Sequence, residues 1–300
     1  MELGRGWVVI GALALCGGAF ASGDEETRIA DEYGLVYSEE SIEARARVAP
    51  RLKRELKAQG FEWGAPVFVR IFKQPRVLEL WLEQADRSYK LFKTYPICKF
   101  AGGLGPKRVR GDDQVPEGFY SVNPHWMHPY SDYHLAFNVR YPNDYDAHYE
   151  RTGANIMVHG GCSSSGCIAM TDPRIEEIYT LAEAAIRAGQ PYFKVHIFPF
   201  PLTEKNLQAH AKSPWLDFWR NLKEGYDLFE VNRVPPQDYF ADGRYQFLEN
   251  AATASCDVRE ALPLTPEYAE LLAPPPSLMP VTHTVSEQQG LASEPQPTLQ

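Results

Sequence analysis

One stretch concentrates groups able to do covalent chemistry: His159-Gly-Gly-Cys-Ser-Ser-Ser-Gly-Cys-Ile-Ala-Met-Thr-Asp172. A thiolate is a strong nucleophile, and a nearby imidazole can take its proton or lower its pKa. Glycines let backbone amides approach a ligand closely, and amides at a turn that opens a helix can face an anion. This loop could therefore supply a nucleophile, a base and an oxyanion hole in one place.

Sharper motifs fail on single positions. Gly161 and Gly166 have the glycine spacing of a phosphate-binding P-loop, but Cys167 stands where its Lys belongs. A cysteine phosphatase needs an Arg after five intervening residues, where Ile168 and Pro173 stand instead. A nucleophile elbow, G-x-S-x-G, is absent from the loop. Two alternatives stay open. His159, Cys162 and Cys167, completed by His148 or His196, could form a zinc site, although the spacing is not a standard one. Cys162 and Cys167 could instead close a purely structural disulfide loop.

Other groups are candidates for contact with a substrate. These are Ser164 and Ser165 in the loop, Tyr120 before it, Trp126 in a segment crowded with aromatic and His residues, and Arg110. Arg110 lies with Lys107 and Arg108 in a Gly-rich basic loop, where cations would meet carboxylates. His196 falls within a strand pattern and reads as a packed side chain.

The elements that must position these residues are legible as patterns. Val48, Leu52 and Leu56 recur at helical spacing between Ser41, the expected N-cap, and Gly60, and Pro50 should kink or split that helix. Pro66–Lys73 and Arg76–Leu82 are rich in β-branched and aromatic residues and read as a hairpin turning at Gln74. Tyr89–Phe100 is a third strand. Val115–Val122 precedes a long connection to about Asp146, and Ile156–His159 is a strand that opens the Cys loop. Pro173–Ala188 reads as a helix stopped by Gly189, Tyr192–Phe198 as a strand, and Leu202 to about Leu228 as helix interrupted near Pro214. A short β piece is expected at Tyr245–Phe247.

The fold class expected is α+β: mainly β with flanking helices. The organisation expected is a signal peptide at 1–21, a lead-in and helix at 22–60, a catalytic domain at 61–201, a helical extension at 202–262 and a Pro-rich disordered tail at 263–300. Arg5, the apolar run Trp7–Phe20 and Ala19-Phe20-Ala21 make a short positive, apolar and small-residue series typical of a cleaved export signal. Bulky Leu15 before Cys16 argues against a lipoprotein signal. No second long apolar stretch follows, so no membrane span is expected after cleavage.

The 300 residues are 44% hydrophobic and 23% charged, which suits a folded core. The net charge of −9 and the lack of a basic run argue against nucleic acid as a partner. An oxidising compartment permits disulfides. After cleavage Cys98, Cys162, Cys167 and Cys256 remain. Cys98 and Cys256 are one candidate pair, and Cys162 could be a redox partner of Cys167, a partner of another Cys or a core residue; sequence alone does not fix connectivity.

A strand ending in His-Gly, followed by Ser164-Ser165-Gly166-Cys167-Ile168, resembles the active-site signature of the YkuD-type L,D-transpeptidases. That signature usually reads His-Gly, a spacer, then Ser-His-Gly-Cys-[Ile/Val]-Arg. Here seven residues separate His159 from Cys167, fewer than usual, Ser165 takes the place of His, and Ala169 that of Arg. The short spacer and the Ala169-Met-Thr-Asp172 continuation resemble the YafK-like branch. The flanks Val69–Lys73, Val115–Tyr120 and Tyr141-Pro-Asn143 agree with that branch, and the likeness covers roughly residues 61–250.

The resemblance implies a YkuD-like domain with Cys167 as nucleophile, His159 as base, the Gly160 carbonyl orienting the imidazole, and the Gly166 and Cys167 backbone N–H groups as oxyanion-hole candidates. It implies acyl transfer through a thioester on meso-diaminopimelate in peptidoglycan stem peptides, with no metal or organic cofactor. A wall-linked lipoprotein is a further candidate partner, and the compartment implied is the periplasm or cell envelope. The same site could instead run as a murein hydrolase or amidase. A different class also stays open, a non-catalytic wall-binding domain stabilised by zinc or a disulfide.

Overall fold

A computed structural model describes residues 30–248. The expected signal peptide, the Pro-rich tail and Cys256 lie outside the described residues, and no helix among those described is long and apolar enough to cross a membrane.

Helix α1 spans Glu39–Gln59. Its N-cap is Ser38, not Ser41: the Ser38 hydroxyl takes the Ser41 N–H while the Ser41 hydroxyl takes the Ser38 N–H, a reciprocal capping box. Pro50 does not split the helix. It is on the exposed side, where water can serve the carbonyl that loses its partner.

The hairpin is present as β1 (Val67–Phe72) and β2 (Val77–Glu83), antiparallel with Phe72 opposite Val77. Strand β3 (Tyr89–Pro96) is shorter than its pattern, because the chain leaves the first sheet at Pro96 and Lys99 pairs with Ala169 of the second. β4 is Gly118–Val122 and β9 is Phe193–Phe198, and the first sheet runs β3-β2-β1-β9-β4. β1 and β9 are parallel, so both lie at the centre and are covered on both faces. Their alternation sends Val69, Ile71, Val195 and Ile197 into a core shared with α1 and with helix α3 (Asp172–Arg187). It sends Phe72 and Phe198 to the opposite face, against helix α5 (Leu216–Asn232).

The long connection after Val122 is not irregular. It holds a second hairpin, β5 (Met127–Ser131) with β6 (His134–Asn138), and helix α2 (Asp144–His148). Its turn carries no glycine; His134 itself takes a left-handed φ of 68°. β6 pairs with β7 (Met157–His159), and β7 pairs in parallel with the two-residue β8 (Ile168–Ala169). Helix α4 is Glu204–Ala209, with the expected break near Pro214 before α5, and a last hairpin joins β10 (Asp238–Ala241) to β11 (Arg244–Phe247).

Parallel neighbours usually need a dozen or more residues of crossover. β7 and β8 are joined by residues 160–167 alone, so this arch must double back along the length of the strand. Gly161 and Gly166 take φ of 63° and 122°, which such tight reversal requires. The catalytic candidates sit at the two feet of this arch.

Candidate active site

His159 ends β7, opposite Ala136 of β6 and Ala169 of β8. It is buried, and its Nδ1 lies 2.6 Å from the Gly160 carbonyl oxygen. A carbonyl only accepts, so Nδ1 donates and Nε2 is left as the proton acceptor. The Tyr133 ring, from the β5–β6 turn, leans on the imidazole at 4.7 Å between centroids. Burial pushes the imidazole pKa below its ordinary value, with the Gly160 bond opposing.

The turn after His159 is held from three sides. Gly160 N–H donates to Leu135, Gly161 N–H donates to Asp172 Oδ1 at 2.7 Å, and Gly161 carbonyl accepts from Thr171 N–H. A Cβ on Gly160 would fall 2.6 Å from Asp172 Oδ1 and 2.7 Å from the Tyr133 carbonyl, so no side chain fits there.

Cys167 stands at the other foot, one step before Ile168 and therefore level with Met157. Extending the ladder by that step makes His159 its diagonal neighbour across the strand pair. The thiol is free, and its sulfur meets the Met157 N–H and the Asn155 carbonyl, each at 3.5 Å. Burial pushes the thiol pKa up, with the Met157 N–H and the Lys107 charge pulling against it. Both shifts favour the uncharged forms, thiol and neutral imidazole, at rest.

Cys98 is bonded to Cys162 with Cα atoms 5.5 Å apart, so neither the Cys98–Cys256 pairing nor a Cys162–Cys167 bond is formed. The cause is the crossing of the chain after β3. Cys98 N–H donates to the Ala169 carbonyl, which brings Cys98 beside the arch. The bond also removes Cys162 from the zinc set. His196 sits buried among Phe68, Phe119 and Phe198, and His148 leans on Phe240. Among the described residues no three His, Cys, Asp or Glu side chains are grouped to hold a metal.

The remaining candidates divide. Ser164 lies in the arch, but its hydroxyl donates to the Cys167 carbonyl at 2.6 Å. Ser165 is exposed beside it. Tyr120 is corrected from a substrate contact to a core residue: it is buried, and its hydroxyl donates to Asp146 Oδ2, which also accepts Arg151 through Oδ1. Trp126 is at the surface with the Arg140 guanidinium 5.6 Å from its ring centroid. Arg110 and Arg108 are exposed on the basic loop, and Thr152 ties that loop to the segment leading to Asn155. Lys107 is instead buried, with Nζ 2.6 Å from Asp112. Asp112 also accepts the Arg108, Val109 and Gln114 N–H groups, and although burial opposes, these partners hold its pKa down to about 2.

The basic loop is fixed from below. Lys73 and Glu117 form a buried pair at 3.1 Å, and Lys73 Nζ donates to the Gly103 and Gly105 carbonyls. Glu117 accepts the Gly105 N–H and the Trp219 indole. Tyr133, Asp172 and this pair are the parts of the site that residue spacing does not announce. Only the general rule that buried charges need partners hints at the last.

Comparison with known proteins identifies the family. Residues 74–197 match the family model YkuD, described as the L,D-transpeptidase catalytic domain. The chain is 44% identical over 182 residues to a protein of Escherichia coli K12 provisionally named L,D-transpeptidase YafK, covering 61% of this chain and 74% of that one. The same figures hold for its counterpart in Escherichia coli O157:H7. Among solved structures, the helical cell shape determining protein Pgp2 of Campylobacter jejuni aligns at 18% identity and a TM-score of 0.35, over 66% of this chain and 84% of that one. Bd1075 of Bdellovibrio bacteriovorus aligns at 18% identity and 0.32, over 63% and 89%. A relative this similar over three-quarters of its length, with a catalytic-domain match spanning the arch, places this chain in the YkuD family of L,D-transpeptidases.

Proposed function

We propose that this chain is an exported L,D-transpeptidase that acts on diaminopimelate-containing stem peptides of peptidoglycan through a Cys167 thioester. The observation that carries the reading is the state of the pair. A free thiol stands diagonally across one short ladder from an imidazole whose Nδ1–H is committed to Gly160, so that Nε2 is the acceptor.

The chemistry follows from that state. His159 Nε2 takes the thiol proton as the Cys167 sulfur attacks the carbonyl carbon of the diaminopimelate residue. The tetrahedral oxyanion is met by backbone N–H groups at Gly166 and Cys167, donors worth roughly 3–4 kcal/mol each in acyl-transfer enzymes. The C–N bond to D-alanine breaks, and the imidazolium returns its proton to the leaving amine. An acceptor amine, from another stem peptide or a wall-linked lipoprotein, then attacks the thioester and regenerates the thiol. Exposed Arg108 and Arg110 supply positive charge for stem-peptide carboxylates.

Intact mass spectrometry after incubation with a carbapenem, an acylating β-lactam, tests the nucleophile. One adduct that maps to Cys167 and is lost in Cys167→Ala supports it. A wild-type adduct that persists in Cys167→Ala overturns it. Defined muropeptides then separate transfer to an amine from release to water.

A further inference from the structure

The same peptide group that receives the His159 Nδ1–H also faces a carboxylate. The Gly160 carbonyl and the Gly161 N–H belong to one amide; the carbonyl accepts from Nδ1 at 2.6 Å, and the N–H donates to Asp172 Oδ1 at 2.7 Å. We propose that Asp172 is a positioning residue for His159, acting through the Gly160–Gly161 amide as the third member of an imidazole–peptide–carboxylate relay. This rests on the reading of His159 as the base.

The physical case has two parts. A charged acceptor on the N–H side polarises the amide and makes its carbonyl a better acceptor, since bonds in a chain strengthen one another by about 10–30%. As the imidazole takes the thiol proton at Nε2, its positive charge is met by that carbonyl and, beyond it, by the carboxylate. No proton reaches Asp172; Nδ1 keeps its hydrogen throughout. This is the work an aspartate does directly in a Ser-His-Asp triad, here with one peptide bond interposed.

The fold also holds Asp172 in place at a cost. Thr171, immediately before it, has φ 81° and ψ 152°, a region used almost only by glycine. A β-branched residue there is strained. Two bonds hold it: Thr171 N–H donates to the Gly161 carbonyl, and Met170 N–H donates to the His159 carbonyl. The strained step delivers the carboxylate to the Gly161 N–H. Asp172 also opens α3, where an acid suits the helix dipole, so a purely structural role must be separated from the relay.

The test uses the full chain as wild type, Asp172→Asn, which keeps the shape and removes the charge, and Asp172→Glu, which keeps the charge. The His159 imidazole is titrated by NMR, with and without Cys167→Ala, and carbapenem acylation of Cys167 is timed by mass spectrometry. Asp172→Asn is expected to move the imidazole midpoint to lower pH and to slow acylation roughly tenfold, with Asp172→Glu recovering part of both. An unmoved midpoint in Asp172→Asn overturns the proposal, whether or not acylation slows. If Asp172→Asn does not fold, an unmoved acylation rate and midpoint in Asp172→Glu despite its displaced carboxylate would overturn it equally. The titration does not depend on Cys167 being the nucleophile, so failure of that reading appears only in the acylation arm.

Discussion

The Ser164 hydroxyl and the Cys167 carbonyl are joined at 2.6 Å, three residues apart within the arch. The side chain is thereby turned into its own loop and braces the backbone at Cys167. Its bond is worth about 1 kcal/mol if it resembles other neutral hydrogen bonds. Ser164→Ala should slow carbapenem acylation of Cys167 about fivefold, while Ser164→Thr should stay close to wild type. Stopped-time mass spectrometry of the adduct reads both. Equal rates in wild type and Ser164→Ala would return Ser164 to the list of surface residues.

The charge state of the pair sets a pH dependence. Burial raises the Cys167 thiol and lowers the His159 imidazole. Both directions oppose a resting thiolate–imidazolium pair. The thiolate fraction therefore stays small near neutrality and grows as pH rises. The rate of alkylation by iodoacetamide should still be climbing at the ordinary thiol pKa of about 8.5. An ion-pair cysteine would instead level off near or below neutrality, and that profile would refute the neutral-pair description.

Lys73 and Glu117 give the basic loop its footing. Removing one partner of a buried pair leaves an uncompensated charge and typically costs about 3–5 kcal/mol. Lys73→Met should lose stability on this scale in urea denaturation. Replacing Glu117 as well, with Gln, should recover much of it. Trp219, whose indole donates to Glu117, offers a fluorescence signal local to the pair. A loss below about 1 kcal/mol in Lys73→Met would mean that water reaches the site.

The legible parts of the fold were those with strong local signals. β1 and β2 combine β-branched and aromatic residues on both sides of a Pro-containing turn, and α3 begins at Asp172-Pro173 and ends before Gly189. The β5–β6 hairpin escaped because its turn uses His134, a non-glycine residue, at positive φ. β8 is two residues long and has no pattern of its own; it exists because β7 and Lys99 flank it. For the site, His159 and Cys167 stand out by type and spacing, and the structure sets them at the two feet of one arch. Tyr120 looked like a site residue because it precedes the arch, but its phenol serves Asp146. Asp172 was visible only as the end of a motif, since its link to His159 runs through an amide that no spacing rule reports.

The Cys98–Cys162 bond spans 64 residues and ends five positions from Cys167. Cys98 therefore faces two sulfurs on one short arch, that of its partner Cys162 and the free one of Cys167. A chain that closes Cys98 on Cys167 would have the same mass and oxidation level but carry its free thiol at Cys162 instead. The two isomers weigh the same, so only mapping the free thiol distinguishes them, and the Cys98 N–H bond to the Ala169 carbonyl belongs to the one observed.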